Sequence, residues 1–361
     1  MKLKSIKKLV SVIVCSAIAM LSLTGCGEIE VLMTSNTAVN SKTTTNGVME
    51  YNGAYYIVDK NGINYKRTIT DENSVVVAHS SKANGNVQDN FAIGDGKIYF
   101  VTNAVQEGNG KTLYQCELDG KKRKKIIVRD EITIVGVFNN AVYFYDEQNF
   151  LKCIEAKTSS KTEISSAYGA PFFQYNNCFI HKASDGILEA YNCDDDDTQL
   201  LSEEKISVFN GTSTGVAYAV NSSTTKGSYE YKFSLFNYTD MAIKPMHKLS
   251  TDKPVDVITE TVALSNLKNG LRVCSIDSGK VEDYSYAKQG KILYDTAVSK
   301  NAYYINDNTC LKFNPNNSDM QKLNANYKKN KVDYNKVKAI VLDKYVVSID
   351  KEGYCAVDKL A

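Results

Sequence analysis

The sequence predicts an all-β fold built as a closed array of repeated antiparallel sheets, and three observations carry that prediction. One short strand pattern recurs eight times, the composition favours pleated and half-buried surfaces, and no long stretch shows the 3.6-residue period of a helix. Laid in register, the recurring strands are AYYIVD ending at Asp59, IYFVTN at Asn103, AVYFYD at Asp146, CFIHKA at Ala183, VAYAVN at Asn221, VALSNL at Leu267, AYYIND at Asp307 and YVVSID at Asp350. Their ends lie about 42 residues apart on average, the length of a four-stranded propeller blade rather than of a helical repeat. The 24 Tyr and 12 Phe, with abundant Val, Ile and Thr, suit strands, and only four Pro stand in their way. The fold expected is a β-propeller of eight four-stranded antiparallel blades. A seven-bladed ring and two stacked β-sandwiches are the alternatives.

Each unit repeats the same internal order. A turn such as Asn52-Gly53, Asp95-Gly96, Asn139-Asn140 or Asn176-Asn177 precedes the recurring strand, and tight hairpins demand residues of this kind because they tolerate positive φ. A second strand follows, as in LYQCELDG from Leu113, FLKCIEAK from Phe150, LRVCSIDSG from Leu271 and YCAVDK from Tyr354. It often closes on an apolar residue and an Asp, as at Leu118-Asp119, Ile276-Asp277 and Val357-Asp358. A shorter strand such as KKIIV, Lys124–Val128, completes most units. One unit cannot bury its own faces, whereas units stacked around an axis can. The last unit stops three residues after Asp358, so GVMEY from Gly47 or EIEVLM from Glu28 is expected to supply its outermost strand and close the ring.

The N-terminus carries the most specific signal. Lys2, Lys4, Lys7 and Lys8 form a cationic segment, Leu9 to Leu23 an apolar one, and LTGC follows. This resembles the leader of bacterial lipoproteins, in which the peptide is cut before the Cys of an L-x-G-C box. The resemblance implies removal of residues 1–25 and a lipid, palmitate included, on Cys26. A transmembrane anchor is the alternative, but the apolar run is short for a hydrocarbon core about 30 Å thick. TSNTAVNSKTTTNG, Thr34 to Gly47, is poor in apolar residues and reads as a spacer, so 26–47 are assigned to the lipidated Cys and spacer and 48–361 to the propeller. The 39 basic and 41 acidic residues beyond the leader nearly balance, which argues against nucleic acid as a partner. Low Pro with abundant Lys, Asn and Tyr points to an AT-rich genome and a Gram-positive host. The address expected is the outer face of the cytoplasmic membrane.

Seven cysteines remain beyond Cys15 and Cys26, namely Cys116, Cys153, Cys178, Cys193, Cys274, Cys310 and Cys355. An odd number leaves at least one free thiol, and equivalent positions on neighbouring repeats would exceed the separation of about 7 Å that a disulfide tolerates, so they read as small buried hydrophobes. No C-x-x-C pair exists and only three His are present, which disfavours a metal centre.

GDGKIYFV with LYQCELDG resembles the domain-of-unknown-function propellers common in clostridial surface lipoproteins, which are similar in turn to the YWTD propellers of lipoprotein receptors. The resemblance covers roughly Val48 to Leu360 and implies the propeller architecture. The chain departs from the receptor pattern in having no Trp.

Catalytic motifs are missing from the sequence. His79, His181 and His247 are far apart and sit in neither H-E-x-x-H nor beside G-x-S-x-G, so no catalytic residue and no cofactor is assigned. Four consecutive carboxylates, Asp194, Asp195, Asp196 and Asp197, are the weak candidates for a Ca²⁺ site, although adjacent side chains on a strand point to opposite faces. KKRKK, Lys121 to Lys125, offers Lys121, Lys122 and Arg123 as weak candidates for contact with anionic wall polymer or headgroups, against a solvated turn. Tyr pairs such as Tyr55-Tyr56 and Tyr303-Tyr304 put a ring on each strand face, so about half are expected in the core and half on a surface able to grip a sugar or peptide. The function expected is a non-catalytic binding platform for a protein, peptide or glycan outside the membrane. A propeller-type polysaccharide hydrolase or lyase, and an assembly component of a secretion or sporulation complex, are the competing classes.

Overall fold

The structure is a computed structural model that describes residues 41–360 apart from 104–109, 156–160, 176–177, 184, 195, 213–214, 238–241, 287–288, 295–300, 307–308, 314–319, 324–332, 335 and 343–344, with the backbone alone over 161–175, 294 and 309. The described residues form strands and no helix. A short strand β1 (Lys42–Thr44) precedes the blades. Blade 1 is β2 (Val48–Tyr51), β3 (Ala54–Asp59), β4 (Gly62–Lys66) and β5 (Val75–His79), and blade 2 is β6 (Val87–Gly94), β7 (Lys97–Asn103), β8 (Lys111–Glu117) and β9 (Lys124–Arg129). Blade 3 is β10 (Thr133–Phe138), β11 (Ala141–Tyr145), β12 (Phe150–Glu155) and the first part of β13 (Lys161–Tyr175). The rest of β13 opens blade 4, followed by β14 (Cys178–Ala183), β15 (Leu188–Asn192) and β16 (Asp197–Leu200). Blade 5 is β17 (Val208–Gly211), β18 (Gly215–Asn221), β19 (Tyr229–Asn237) and β20 (Ala242–Thr251). Blade 6 is β21 (Val257–Ile258), β22 (Val262–Leu267), β23 (Gly270–Ser275) and β24 (Val281–Ser285). Blade 7 is β25 (Lys291–Tyr294), β26 (Ala302–Asn306), β27 (Thr309–Phe313) and β28 (Met320–Leu323), and blade 8 is β29 (Lys338–Leu342), β30 (Tyr345–Ile349) and β31 (Cys355–Lys359).

The eight recurring hexapeptides are therefore the second strands of eight blades of one propeller. An inner strand precedes each, so the strands expected second and third in every unit are third and fourth. In blades 1, 2 and 3 the hairpins that join first and second strands have positive φ at both central residues: 50° and 76° at Asn52 and Gly53, 52° and 72° at Asp95 and Gly96, 48° and 61° at Asn139 and Asn140. That is the geometry whose twist matches paired strands. The residue closing the recurring strand also has a mechanical task. The carboxylate of Asp59, Asp146 or Asp350 accepts the backbone N–H two residues on, at 2.7, 3.0 and 2.9 Å, and so shapes the turn into the third strand.

The core lies between blades rather than within them, as apolar clusters packed into the seams. Ala92, Tyr99 and Leu113 of blade 2 meet Ile134, Val142 and Phe144 of blade 3; Phe233 and Leu249 of blade 5 meet Ile258 and Cys274 of blade 6. The same holds around to Val48 and Ile57 of blade 1, which meet Ile340, Leu342, Val347 and Ile349 of blade 8. Among the described residues, side chains alone thus close the ring. This corrects the expected strand exchange: Val48–Tyr51 form the inner strand of blade 1, held to β3 by the two-residue Asn52-Gly53 turn, and a local hairpin outcompetes a distant pairing. The other proposed closing segment, EIEVLM, lies outside the described residues, and among these β31 has no fourth strand beside it.

Three further expectations change. Lys42–Thr44, within the stretch read as spacer, form β1 because the inner edge of β6 offers unpaired backbone groups and Thr43 and Thr44 are good strand formers. Tyr56, Tyr303 and Tyr304 are all buried, and Tyr55 packs against the seam of blades 8 and 1, since a second strand has a neighbouring blade on each face. Cys116, Cys178, Cys274 and Cys310 are buried thiols as expected, but Cys153 and Cys193 are half-buried and Cys355, on the bare edge of β31, is exposed.

Candidate binding surface at the ring axis

Alternation of strand direction gives the ring two unlike faces. One carries the tight turns between first and second and between third and fourth strands; the other carries the inter-blade links and the loops between second and third strands. The inner strands line the axis, and their first residues lie towards the link face.

Three of the inner strands place charge near that face. Lys338, opening β29, contacts the carboxylate of Asp89 on β6 at 2.6 Å, a bridge that passes over blade 1. The Asp89 carbonyl accepts the Gly47 N–H at 2.9 Å, and φ of 74° at Gly47 with only 2.6 Å from a built Cβ to the Asp89 carboxylate explains why glycine stands there. Lys291, opening β25, donates to the Val337 carbonyl at 3.1 Å, and burial holds its ammonium below the usual lysine range. Val337 also lines a cavity of about 310 Å³ beneath the link into blade 8, walled by Asp333, Lys336, Ser348, Tyr354 and Cys355. Lysines, a carboxylate and a concave pocket thus share the link face of blades 7, 8 and 2.

Nearer the turn face, Lys42 on β1 reaches the Glu50 carboxylate at 2.9 Å, and the Gly53 N–H donates to the same group at 2.8 Å. Burial pushes the Glu50 carboxyl upward, but the bonds from Lys42 and Gly53 and the charge of Lys42 together bring it below its ordinary value. β1 pairs with the side of β6 opposite β7, which is the axial side, and so narrows the opening. Asn90 ties this arrangement together, donating to the carbonyls of Thr44 and Ile134 and accepting from the Ile134 N–H. Asn210 on β17 repeats the device with a 2.9 Å bond to the Ile258 carbonyl of blade 6.

The candidates read from sequence lie elsewhere. Lys121, Lys122 and Arg123 occupy the β8–β9 turn: Lys121 pairs with Asp119 at 3.2 Å and Lys122 with Glu117 at 2.6 Å. Arg123 is half-buried, donates to the His79 carbonyl across the seam to blade 1, and lies 4.2 and 4.9 Å from the ring centroids of Tyr114 and Phe100. Asp194 and Asp196 are in the β15–β16 turn and Asp197 opens β16; Asp196 accepts from the Tyr191 hydroxyl at 2.8 Å and Asp197 from the Thr198 N–H at 2.8 Å, and Asp195 lies outside the described residues. Among the described residues no three His, Cys, Asp or Glu converge as metal ligands. The three His occupy blades 1, 4 and 5, with His181 fully buried 3.4 Å from Glu189. Cys26 and the leader lie outside the described residues. Lys42, Glu50, Asp89, Lys291 and Lys338 carry no sequence motif, and only the closed ring brings them near the axis.

No family model matches the chain, and no curated protein matches it. Among solved structures it is similar to the computationally designed Ika8 protein (12% identity, TM-score 0.49, covering 89% of this chain and 97% of that one). It is similar also to BamB from Moraxella catarrhalis (8% identity, TM-score 0.48, covering 90% of this chain and 99% of that one). A third similarity is to PorZ, a surface component of the type-IX secretion system of Porphyromonas gingivalis (10% identity, TM-score 0.41, covering 74% of this chain and 36% of that one).

Proposed function

We propose that the chain is an exported lipoprotein, held at the outer face of the cytoplasmic membrane by lipid on Cys26, and that its propeller is a non-catalytic platform for an extracellular protein, peptide or glycan. One observation carries the reading: a cationic segment, an apolar run and LTGC stand in that order ahead of the ring. The axial groups support the second half. Lys338 with Asp89 and Lys42 with Glu50 are mutually paired, an arrangement suited to docking a polar ligand rather than to moving a proton. Cells grown with labelled palmitate test the anchor. The protein is expected in the membrane fraction with label, and Cys26→Ala is expected unlabelled and released; an unlabelled wild type would dismiss the anchor. Turnover of a wall or plant polysaccharide by purified protein would replace the platform with an enzyme.

A further inference from the structure

The outermost strand of blade 5 departs from its counterparts. β20 runs for ten residues, against four to six in β5, β9, β16, β24 and β28, and Leu249 alone in it is buried. Its sequence AIKPMHKLST holds Lys244, His247 and Lys248 and no carboxylate. Leu249 and Met246 pack into the seam with blade 6 and so fix the strand on the ring. Lys248 stands directly across from Lys232 of β19, and like charges at such a pair destabilise a sheet. Lys232 has the Glu204 carboxylate at 2.8 Å, whereas neither Lys244 nor Lys248 has an ion pair among the described residues. Glu230, a diagonal step away opposite Ser250, makes none with Lys248. Ile243, beside Lys244, is 43% exposed.

A guard against edge pairing accounts for part of this, since Lys and Pro on an outer strand discourage a further strand. Pro245 and the register shift between Lys232 and Ser234 already serve that end, and neither calls for a repelling lysine pair or an exposed isoleucine. The same two features hinder an extended peptide from adding to the edge, so a partner must meet side chains rather than backbone. We propose that β20 is the rim by which the ring rests on an anionic lipid bilayer, with Lys244 and Lys248 against anionic headgroups and Ile243 at the boundary of headgroups and acyl chains. Such a surface supplies both requirements at once: negative charge that relieves the Lys232–Lys248 repulsion, and an apolar layer for Ile243. The attraction is local, because the 39 basic and 41 acidic residues beyond the leader give the chain no cationic field of its own. Each lysine near an anionic leaflet favours binding only about fivefold. The contact therefore orients a ring that another device retains. It rests on the proposed membrane address, and it sets the ring edge-on so that both of its faces stay open to a ligand.

The test uses the chain from Cys26 to Ala361, made without lipid; no described residue is lost with 1–25. It is sedimented at low ionic strength with vesicles of phosphatidylglycerol and phosphatidylcholine in equal parts, or of phosphatidylcholine alone. Binding is expected to the anionic vesicles only, and to fall as salt is raised. Lys244→Ala with Lys248→Ala is expected to lower the partition coefficient about thirtyfold, and Ile243→Ser to lower it at every salt concentration. Lys121→Ala with Lys122→Ala, whose ammonium groups are already paired, is expected to bind as wild type. Lys248→Ala should also raise the urea midpoint slightly by removing the repulsion, which shows that weaker binding does not come from unfolding. Equal sedimentation with both kinds of vesicle, or wild-type binding by the Lys244 and Lys248 double variant, would overturn the proposal. So would binding of soluble polyglutamate as tight as that of the vesicles and indifferent to Ile243→Ser. Palmitate labelling of Cys26 is read separately, so the anchor and the rim fail independently.

Discussion

Asn90 shows how one side chain can hold three strands. Its amide nitrogen lies 3.1 Å from the Thr44 carbonyl of β1 and 3.0 Å from the Ile134 carbonyl of β10, while its oxygen takes the Ile134 N–H. These are backbone groups on strand edges that face the axis, where no further strand pairs with them. Truncation leaves them short of partners in a half-buried place, which costs about 1–3 kcal/mol. Asn90→Ala is therefore expected to lower stability by that amount in urea unfolding, and Asn90→Asp by more, because a carboxylate accepts only and would face two carbonyl oxygens. Equal midpoints for Asn90→Asp and the exposed control Lys82→Ala would show that the bonds contribute nothing.

At the scale of elements, burial decides what the sequence could reveal. Second strands such as β11 and β26 have no exposed residue, so their apolar runs stand out and repeat, and the blade count followed from them. Outermost strands lie against one partner and water: β16 is exposed throughout and β20 nearly so, and their polar sequences resemble loops. The inner strands were missed for a different reason, being set just before turns that already explained their residues. The axial surface was illegible because Asp89 and Lys338 are brought together by closure and not by spacing. β1 is the smallest of these hidden elements, with three residues paired to Phe91, Ala92 and Ile93. A chain begun at Gly47 is expected to keep its far-ultraviolet circular dichroism and to lose about 1–3 kcal/mol, in keeping with a few net hydrogen bonds. Hydrogen exchange at Phe91, Ala92 and Ile93 should accelerate in that chain while β7 stays protected. Loss of cooperative unfolding would instead make β1 a keystone of the ring.

For the whole molecule the decisive contact is the one between blades 8 and 1. Every other pair of neighbouring blades is joined by the running chain, whereas among the described residues this pair has only its side chains: the cluster of Val48, Ile57, Ile340 and Val347, and the Lys60 ammonium 4.4 Å from the Tyr354 ring centroid. Opening there would separate Lys338 from Asp89 and dismantle the axial surface, so closure and candidate site stand or fall together. Ile340 and Ile134 are both buried in seams, at 4% and 0% exposure, and truncating either to Ala costs about 2–5 kcal/mol. The consequences differ in place. Ile340→Ala lowers the cost of swinging blade 8 away without unfolding blades 2 to 7, so limited proteolysis under native conditions is expected to cut first within 338–360. Ile134→Ala sits at a seam the chain itself spans, and its cleavage is expected to require global unfolding. Compared at urea concentrations that equalise their global stability, the two variants should give different first fragments by mass spectrometry. The same first cut in both would mean that the ring opens no more readily at its ends than anywhere else.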